Sequence, residues 1–248
     1  MTRRCFLILL SLFLPLSPPA ARSGEWRVSP VRLELGRNAK SGVVTVFNES
    51  DEPLQVQIRA FEWTQDAEGR DRYTKTEDLL FFPRMMIFAE KEERILRAGI
   101  RVPAAKKEKA YRLYLEEIPG PRKDEGVNVA IAIRIGVPVF VKPLKEDPKG
   151  EIGMMGMANG VLTIPVRNAG NVHFVIRSTT VTGKNAEGEK VFSRDIGGWY
   201  LLADASRLYT TELPKEVCRD LVKIEVEAKT DRFSFSGGFA PDRAMCEP

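Results

Sequence analysis

Residues 54–61 place Leu54, Val56, Ile58 and Ala60 in alternation with Gln55, Gln57 and Arg59 before reaching Phe61. A period of two sends successive side chains to opposite faces, so this stretch reads as an extended strand with one face buried. Val43 to Phe47 precedes it, with a polar turn at Asn48 to Pro53 between the two. Strand, turn residues, then strand is the pattern of an antiparallel connection. Arg94 to Ile100, Tyr111 to Ile118 and Val127 to Val141 add further strand candidates. Stretches rich in Gly, Pro, Asp and Lys, such as 66–72 and 119–126, separate them. Few segments carry apolar residues at helical spacing for three turns, and β-branched residues dominate the apolar runs. The expected fold class is all-β.

The pattern occurs twice. Lys142 to Gly150 is polar, holds two prolines and has little to bury, as expected of a linker between domains. Beyond it, Val161 to Asn168 leads through Ala169-Gly170-Asn171 into Val172 to Val181. Asn48 and Asn168 end comparable strands 120 residues apart, a domain-sized interval. Two related β-sandwiches fit this spacing better than one large barrel. The expected division is an export segment 1–23, a domain 24–143, a linker 144–150 and a second domain 151–248.

The export reading rests on Arg3 and Arg4, the apolar run Phe6 to Leu14, and the small residues and prolines that follow to Ala21. That order is the layout of a secretory signal peptide. The run is about half of the ~20 residues that span a bilayer. Thr2 to Leu7 also resembles a twin-arginine motif, so two export routes stay open. Cleavage after Ser23 would remove Arg3, Arg4 and Arg22 and lower the formal charge from +4 to +1. A nearly neutral chain has no bulk electrostatic attraction to nucleic acid. Cys5 would leave with the signal. The remaining pair, Cys218 and Cys246, suits a disulfide in an oxidising compartment, though sequence does not show that they meet.

Catalytic patterns are scarce. His173 is the single histidine, so a metal site built on it and the cysteines would lack ligands, and no metal or cofactor is expected. No Gly-rich phosphate loop and no Gly-x-Ser-x-Gly elbow occurs. Glu92-Glu93 and Glu116-Glu117 are neighbours on expected strands, and neighbours on a strand face opposite sides. The chain reads as a protein that binds another polypeptide, not as an enzyme.

The most informative segment is Val127 to Phe140. Val127, Val129, Ile131, Ile133 and Ile135 would line one face, with Asn128, Ala130, Ala132, Arg134 and Gly136 on the other. A core strand with one buried face explains the pattern, but Arg134 has no evident acidic partner nearby. An apolar strand at a sheet edge also invites pairing with a second chain.

The N-terminal half resembles the periplasmic pilus-assembly chaperones of the chaperone–usher pathway. Val28-Ser29-Pro30-Val31-Arg32-Leu33 is similar to that family's first strand, and Val43 to Asn48 with Phe61-Glu62-Trp63 to the strands after it. Phe81 to Arg84 with Arg94 to Arg97 resembles the family's proline-containing segment and the strand that follows it. Tyr111 to Pro119, ending in Glu-Ile-Pro, is the most specific match. Arg134 to Val141 resembles the last strand of the first domain in the non-classical branch.

The resemblance implies two immunoglobulin-like domains in a boomerang, with a binding cleft between them. It also implies a function: binding and capping a pilus subunit by donating a strand, then delivery to an outer-membrane usher from the periplasm. Residues 127, 129, 131, 133 and 135 would be the donor contacts. Two basic residues would hold the subunit's C-terminal carboxylate, Arg32 and Arg134, with Lys142 as the reserve for the second. The alternative is an exported immunoglobulin-like structural protein that binds no incomplete subunit.

Overall fold

The computed structural model describes residues 25–120 and 131–247. The export segment, Val127 and Val129 lie outside the described residues. The first group of strands is β1 (Trp26–Ser29), β2 (Leu33–Leu35), β3 (Ser41–Asn48), β4 (Leu54–Gln65), β5 (Asp71–Lys75), β6 (Leu79–Phe82), β7 (Met85–Phe88), β8 (Glu93–Ile100), β9 (Lys109–Glu117) and β10 (Arg134–Val141). The second is β11 (Gly150–Ile152), β12 (Gly156–Ala158), β13 (Val161–Asn168), β14 (Phe174–Lys184), β15 (Lys190–Gly197), β16 (Tyr200–Leu201), β17 (Ser206–Glu212), β18 (Lys223–Thr230) and β19 (Ser234–Phe239). A short helix α1 (Lys215–Asp220) and a 3-10 turn at Arg243–Cys246 complete the described chain. The fold is all-β in two domains.

In the first sandwich one sheet runs β1-β3-β8-β6 and the other β2-β10-β9-β4-β5, with β7 also on β4. The chain crosses from one sheet to the other between β1 and β2, at the cis Ser29–Pro30 bond. The alternation read in β4 is realised: Val56 and Ile58 point inward with Val44, Leu96, Leu113 and Val139. The second sandwich sets β13, flanked by β11, β12 and β17, against the sheet β15-β14-β18-β19. Leu162, Ile164, Phe174, Ile176 and Val226 fill it. Cys218 of α1 and Cys246 of the 3-10 turn form a disulfide inside this second core.

Asn48 and Asn168 do the same work in the two sandwiches. Asn48 Nδ2 donates to the Glu52 and Ala89 carbonyls, and its Oδ1 accepts from the Ser50 amide. Asn168 Nδ2 donates to the Val172 and Leu201 carbonyls, and its Oδ1 accepts from the Gly170 amide. Both side chains are buried, and each pins the turn after its strand to a second segment. A buried amide satisfied at both ends fixes a loop without leaving an orphaned polar atom.

The junction is a small core of its own: Trp63, Ala110 and Phe140 of the first sandwich meet Leu202 of the second. Gln65 adds polar stitching, donating to the Tyr200 carbonyl at 2.9 Å and accepting from the Leu202 amide at 3.0 Å. The segment expected as a linker is shorter and better anchored than its composition implies. Gly150 already lies in β11, and Pro143 is buried. The Leu144 amide donates to the Ala105 carbonyl, and Asn171 Nδ2 donates to the Lys106 and Lys145 carbonyls. Composition misses this because backbone groups, which carry no sequence signature, make most of those bonds.

Candidate functional site

The alternating strand is half covered and half open. β2 pairs with β10 only at Val139, Phe140 and Val141, whereas β9 pairs along all of Arg134–Val141. The Ile133 carbonyl accepts from the Glu117 amide directly opposite, so Ile133, Ile135 and Val137 turn their backbone groups toward β9. Arg134, Gly136 and Pro138 therefore turn theirs the other way, where no strand lies among the described residues. Pro138 lacks an N–H and suits such an edge.

The regular strand is also shorter than its apolar pattern. Ile133 and Ile135 pack on the first core, but Ile131 lies outside regular structure and is 63% exposed. The physical reason is the end of β9 at Glu117: beyond it β10 has no ladder partner. The start expected at Val127 falls outside the described residues.

The cations divide into separate groups. Arg134 does have an acidic partner, contrary to the reading of the sequence: its Nε lies 2.8 Å from Glu116 Oε1, in the residue opposite it on β9. Its guanidinium also stacks on Tyr114, 3.6 Å from the ring centroid. Sequence separation hides this pair, because two residues the register makes neighbours are 18 positions apart in the chain. Arg32, at the lip of β2, instead meets Glu34 at 3.2 Å. Lys142 reaches the same Glu34 at 2.7 Å and Glu146 at 3.4 Å. The structure thus joins Arg32 to Lys142 through Glu34 and holds Arg134 apart, about 13 Å further along β10 than Pro138.

Arg112 is the buried cation that sequence reasoning missed. It stands opposite Pro138 in the β9–β10 register and is only 8% exposed. Its guanidinium lies over Trp63, 4.1 Å from the ring centroid, and Nη1 makes one long bond of 3.5 Å to the Gly136 carbonyl. Nε and Nη2 are buried with no partner among the described residues. Gly136 makes room for it: a Cβ there would come within 3.0 Å of Arg112 Cδ and 2.9 Å of Tyr114 Cε1. The sequence did hold a signal, since Tyr111 to Leu115 alternates and sets Arg112 and Tyr114 on one face. The aromatics that enclose the charge come from β4 and β5, which no local pattern connects to β9.

A desolvated guanidinium with two unused N–H directions is costly. Its chemistry calls for an oxygen acceptor with matching geometry, and a carboxylate fits best. Arg32 flanks Pro138 from the other side. The β2–β10 pairing that starts at Leu33↔Val139 places Arg32 one row on, beside Pro138. Two strand spacings separate the Arg32 and Arg112 backbones, roughly 10 Å, within reach of two arginine side chains turned to one face.

His173 is structural. It is 1% exposed, its ring stacks on Phe140 with centroids 3.5 Å apart, and Nδ1 lies 2.7 Å from Glu108 Oε1. Glu108 Oε1 also accepts from the His173 amide. The pair seals the junction between the sandwiches. No cluster of metal-ligating side chains occurs among the described residues.

A family model described as the pili and flagellar-assembly chaperone, PapD N-terminal domain, matches residues 26–146. By its N-terminal domain the chain belongs to the pilus-assembly chaperones. The general role of a chaperone comes with that membership. No curated protein matches the chain in sequence. Several solved structures share its fold. One is the CsuC–CsuE chaperone–tip adhesion subunit pre-assembly complex from archaic chaperone-usher Csu pili of Acinetobacter baumannii. It matches with a TM-score of 0.62 at 18% identity, over 87% of this chain and 98% of that one. The class 5 fimbriae chaperone CfaA matches with a TM-score of 0.59 at 13% identity, over 88% and 100%. The Salmonella enterica SafA pilin in complex with the SafB chaperone matches with a TM-score of 0.57 at 14% identity, over 90% and 99%. At these identities the likeness concerns the fold, and it extends through both sandwiches of the chaperone.

Proposed function

We propose that this chaperone holds a pilus subunit that lacks one strand, working in the periplasm and passing its cargo to an outer-membrane usher. One observation carries the reading: the open edge of β10 lies beside a buried guanidinium whose Nε and Nη2 have no acceptor among the described residues. A subunit short of a strand exposes unpaired backbone groups, and the outward-facing groups of Arg134, Gly136 and Pro138 would pair with them. Ile131, already exposed, and the half-buried Ile133 and Ile135 would enter the subunit's groove together with Val127 and Val129. Each fully buried apolar side chain would contribute about 1.5–3 kcal/mol.

Arg112 and Arg32, on either side of Pro138, are our choice for the carboxylate anchor. Arg134 is engaged by Glu116, which it shares with Arg59, and lies too far along the strand to join Arg32. Lys142 stands behind Glu34. Two guanidiniums on one carboxylate would fix the register of the added strand, since a slip of one residue presents its wrong face. Chaperone–subunit complexes among the structural relatives, such as SafA with SafB, support the choice of partner.

The test is co-expression with a fimbrial subunit that lacks its last strand, followed by recovery of the complex from the periplasm. Arg32→Ala and Arg112→Ala together should abolish recovery while the chaperone itself stays folded. Undiminished recovery would overturn the reading.

A further inference from the structure

Glu34 is a carboxylate that already sits on Arg32, and a second cation holds its other oxygen. Glu34 Oε1 lies 3.2 Å from Arg32 Nη2, and Oε2 lies 2.7 Å from Lys142 Nζ. Lys142 continues to Glu146 at 3.4 Å, and Glu146 to Arg232 of the second sandwich at 2.8 Å. Charges alternate along this chain of three cations and two carboxylates, which leaves one positive charge unmatched. Glu34 keeps its own charge, because the hydrogen bond from Lys142, with both neighbouring cations, holds its carboxyl below the ordinary value of 4.5 against the opposing effect of burial.

We propose that Glu34 is an internal stand-in for the guest carboxylate, and that Lys142 is the residue that draws it aside when the guest arrives. This rests on the anchor reading given above. The geometry favours exchange over simple blocking. The contact to Lys142 is the shorter of the two, so Glu34 stays paired when Arg32 turns to another acceptor. One unmatched positive charge on the chain accommodates one incoming carboxylate. A partner without a free carboxylate makes no ion pair with Arg32, whether or not Glu34 is in place. Glu34 thereby sets how much a guest carboxylate gains at Arg32: as a like charge already in place it reduces the preference for a chain end over an internal stretch of strand, and Lys142 limits that reduction by holding Glu34 when Arg32 turns away.

The experiment uses the full-length chaperone and a fluorescein-labelled peptide of alternating valine and threonine, prepared with a free C-terminal carboxylate and as the amide. Anisotropy gives the ratio of affinities for the two forms. Wild-type protein that binds both forms equally would remove the anchor reading itself. Given a wild-type preference for the acid, Glu34→Gln should raise the ratio about fivefold, the scale of a partly exposed ion pair. Lys142→Met should lower it by a similar factor, because Glu34 would then depend on Arg32 alone. Binding of the amide should be unchanged in both variants, which also shows that they fold. A role for Glu34 as mere scaffolding predicts losses in both variants, and that result, or an unchanged ratio, would overturn the proposal.

Discussion

Arg112 of β9 and Pro138 of β10 stand directly opposite each other on the outer face of the first sandwich, and Arg112 is a buried cation with two N–H groups that meet no acceptor among the described residues. Arg112→Met should therefore separate stability from binding. Removing an uncompensated buried charge while keeping an apolar contact with Trp63 should stabilise the free chaperone by about 1–2 kcal/mol. The same change should eliminate discrimination between free and amidated peptide ends. Urea unfolding and anisotropy on the same preparation check the two halves, and a destabilised variant would show that the guanidinium is satisfied in the free protein.

Glu108 and His173 make the opposite case, a buried pair that holds two domains together. His173→Phe would keep the stack on Phe140 but leave the Glu108 carboxylate buried without its ring partner. Breaking one half of a buried pair costs about 3–5 kcal/mol. Adding Glu108→Gln should recover part of the loss. Chemical denaturation monitored by tryptophan fluorescence is suited to this, since Trp63 belongs to the same junction.

The Cys218–Cys246 disulfide closes a loop of 28 positions. Its loss should destabilise the second sandwich by about 3.5 kcal/mol on loop-entropy grounds. Cys218→Ser with Cys246→Ser should show this in thermal melts, and the first sandwich should be affected little because its core is separate.

Acid should weaken the tie that runs from Arg32 to Arg232. The carboxyls of Glu34 and Glu146 are both held below their ordinary value of 4.5, Glu34 foremost by the Lys142 hydrogen bond and Glu146 foremost by that of Arg232. A depressed folded-state value means stability that is present above about pH 4.5 and is lost as the pH falls through the folded values. Unfolding free energy should therefore be flat in these groups from pH 7 to 5 and fall below pH 4.5. Glu34→Gln with Glu146→Gln should flatten that fall, modestly because the groups are about a third exposed.

The repeat spacing of Asn48 and Asn168 was legible from the chain alone, and the two residues prove to make matching hydrogen bonds. Most strands were legible too: Val161–Asn168 is found with the bounds read from it, and the Leu54–Phe61 alternation runs on to Gln65. These succeed because burial of one face imposes a period of two on neighbouring residues. The long apolar pattern of 127–140 was less reliable. Apolar alternation records what a segment can bury, not what stands beside it, and β10 is regular only where β9 accompanies it.

The sequence by itself determined an all-β chain in two domains, a family, and the strand that offers an edge. Tertiary structure alone decided which charges meet. Arg134 looked free and is paired with Glu116, Arg32 shares Glu34 with Lys142, and Arg112 is enclosed by rings from two other strands. Periodicity acts between neighbours in the chain and can be read there. Electrostatic partners are set by strand register, which brings together residues far apart in sequence, and it takes form only when the sheet does.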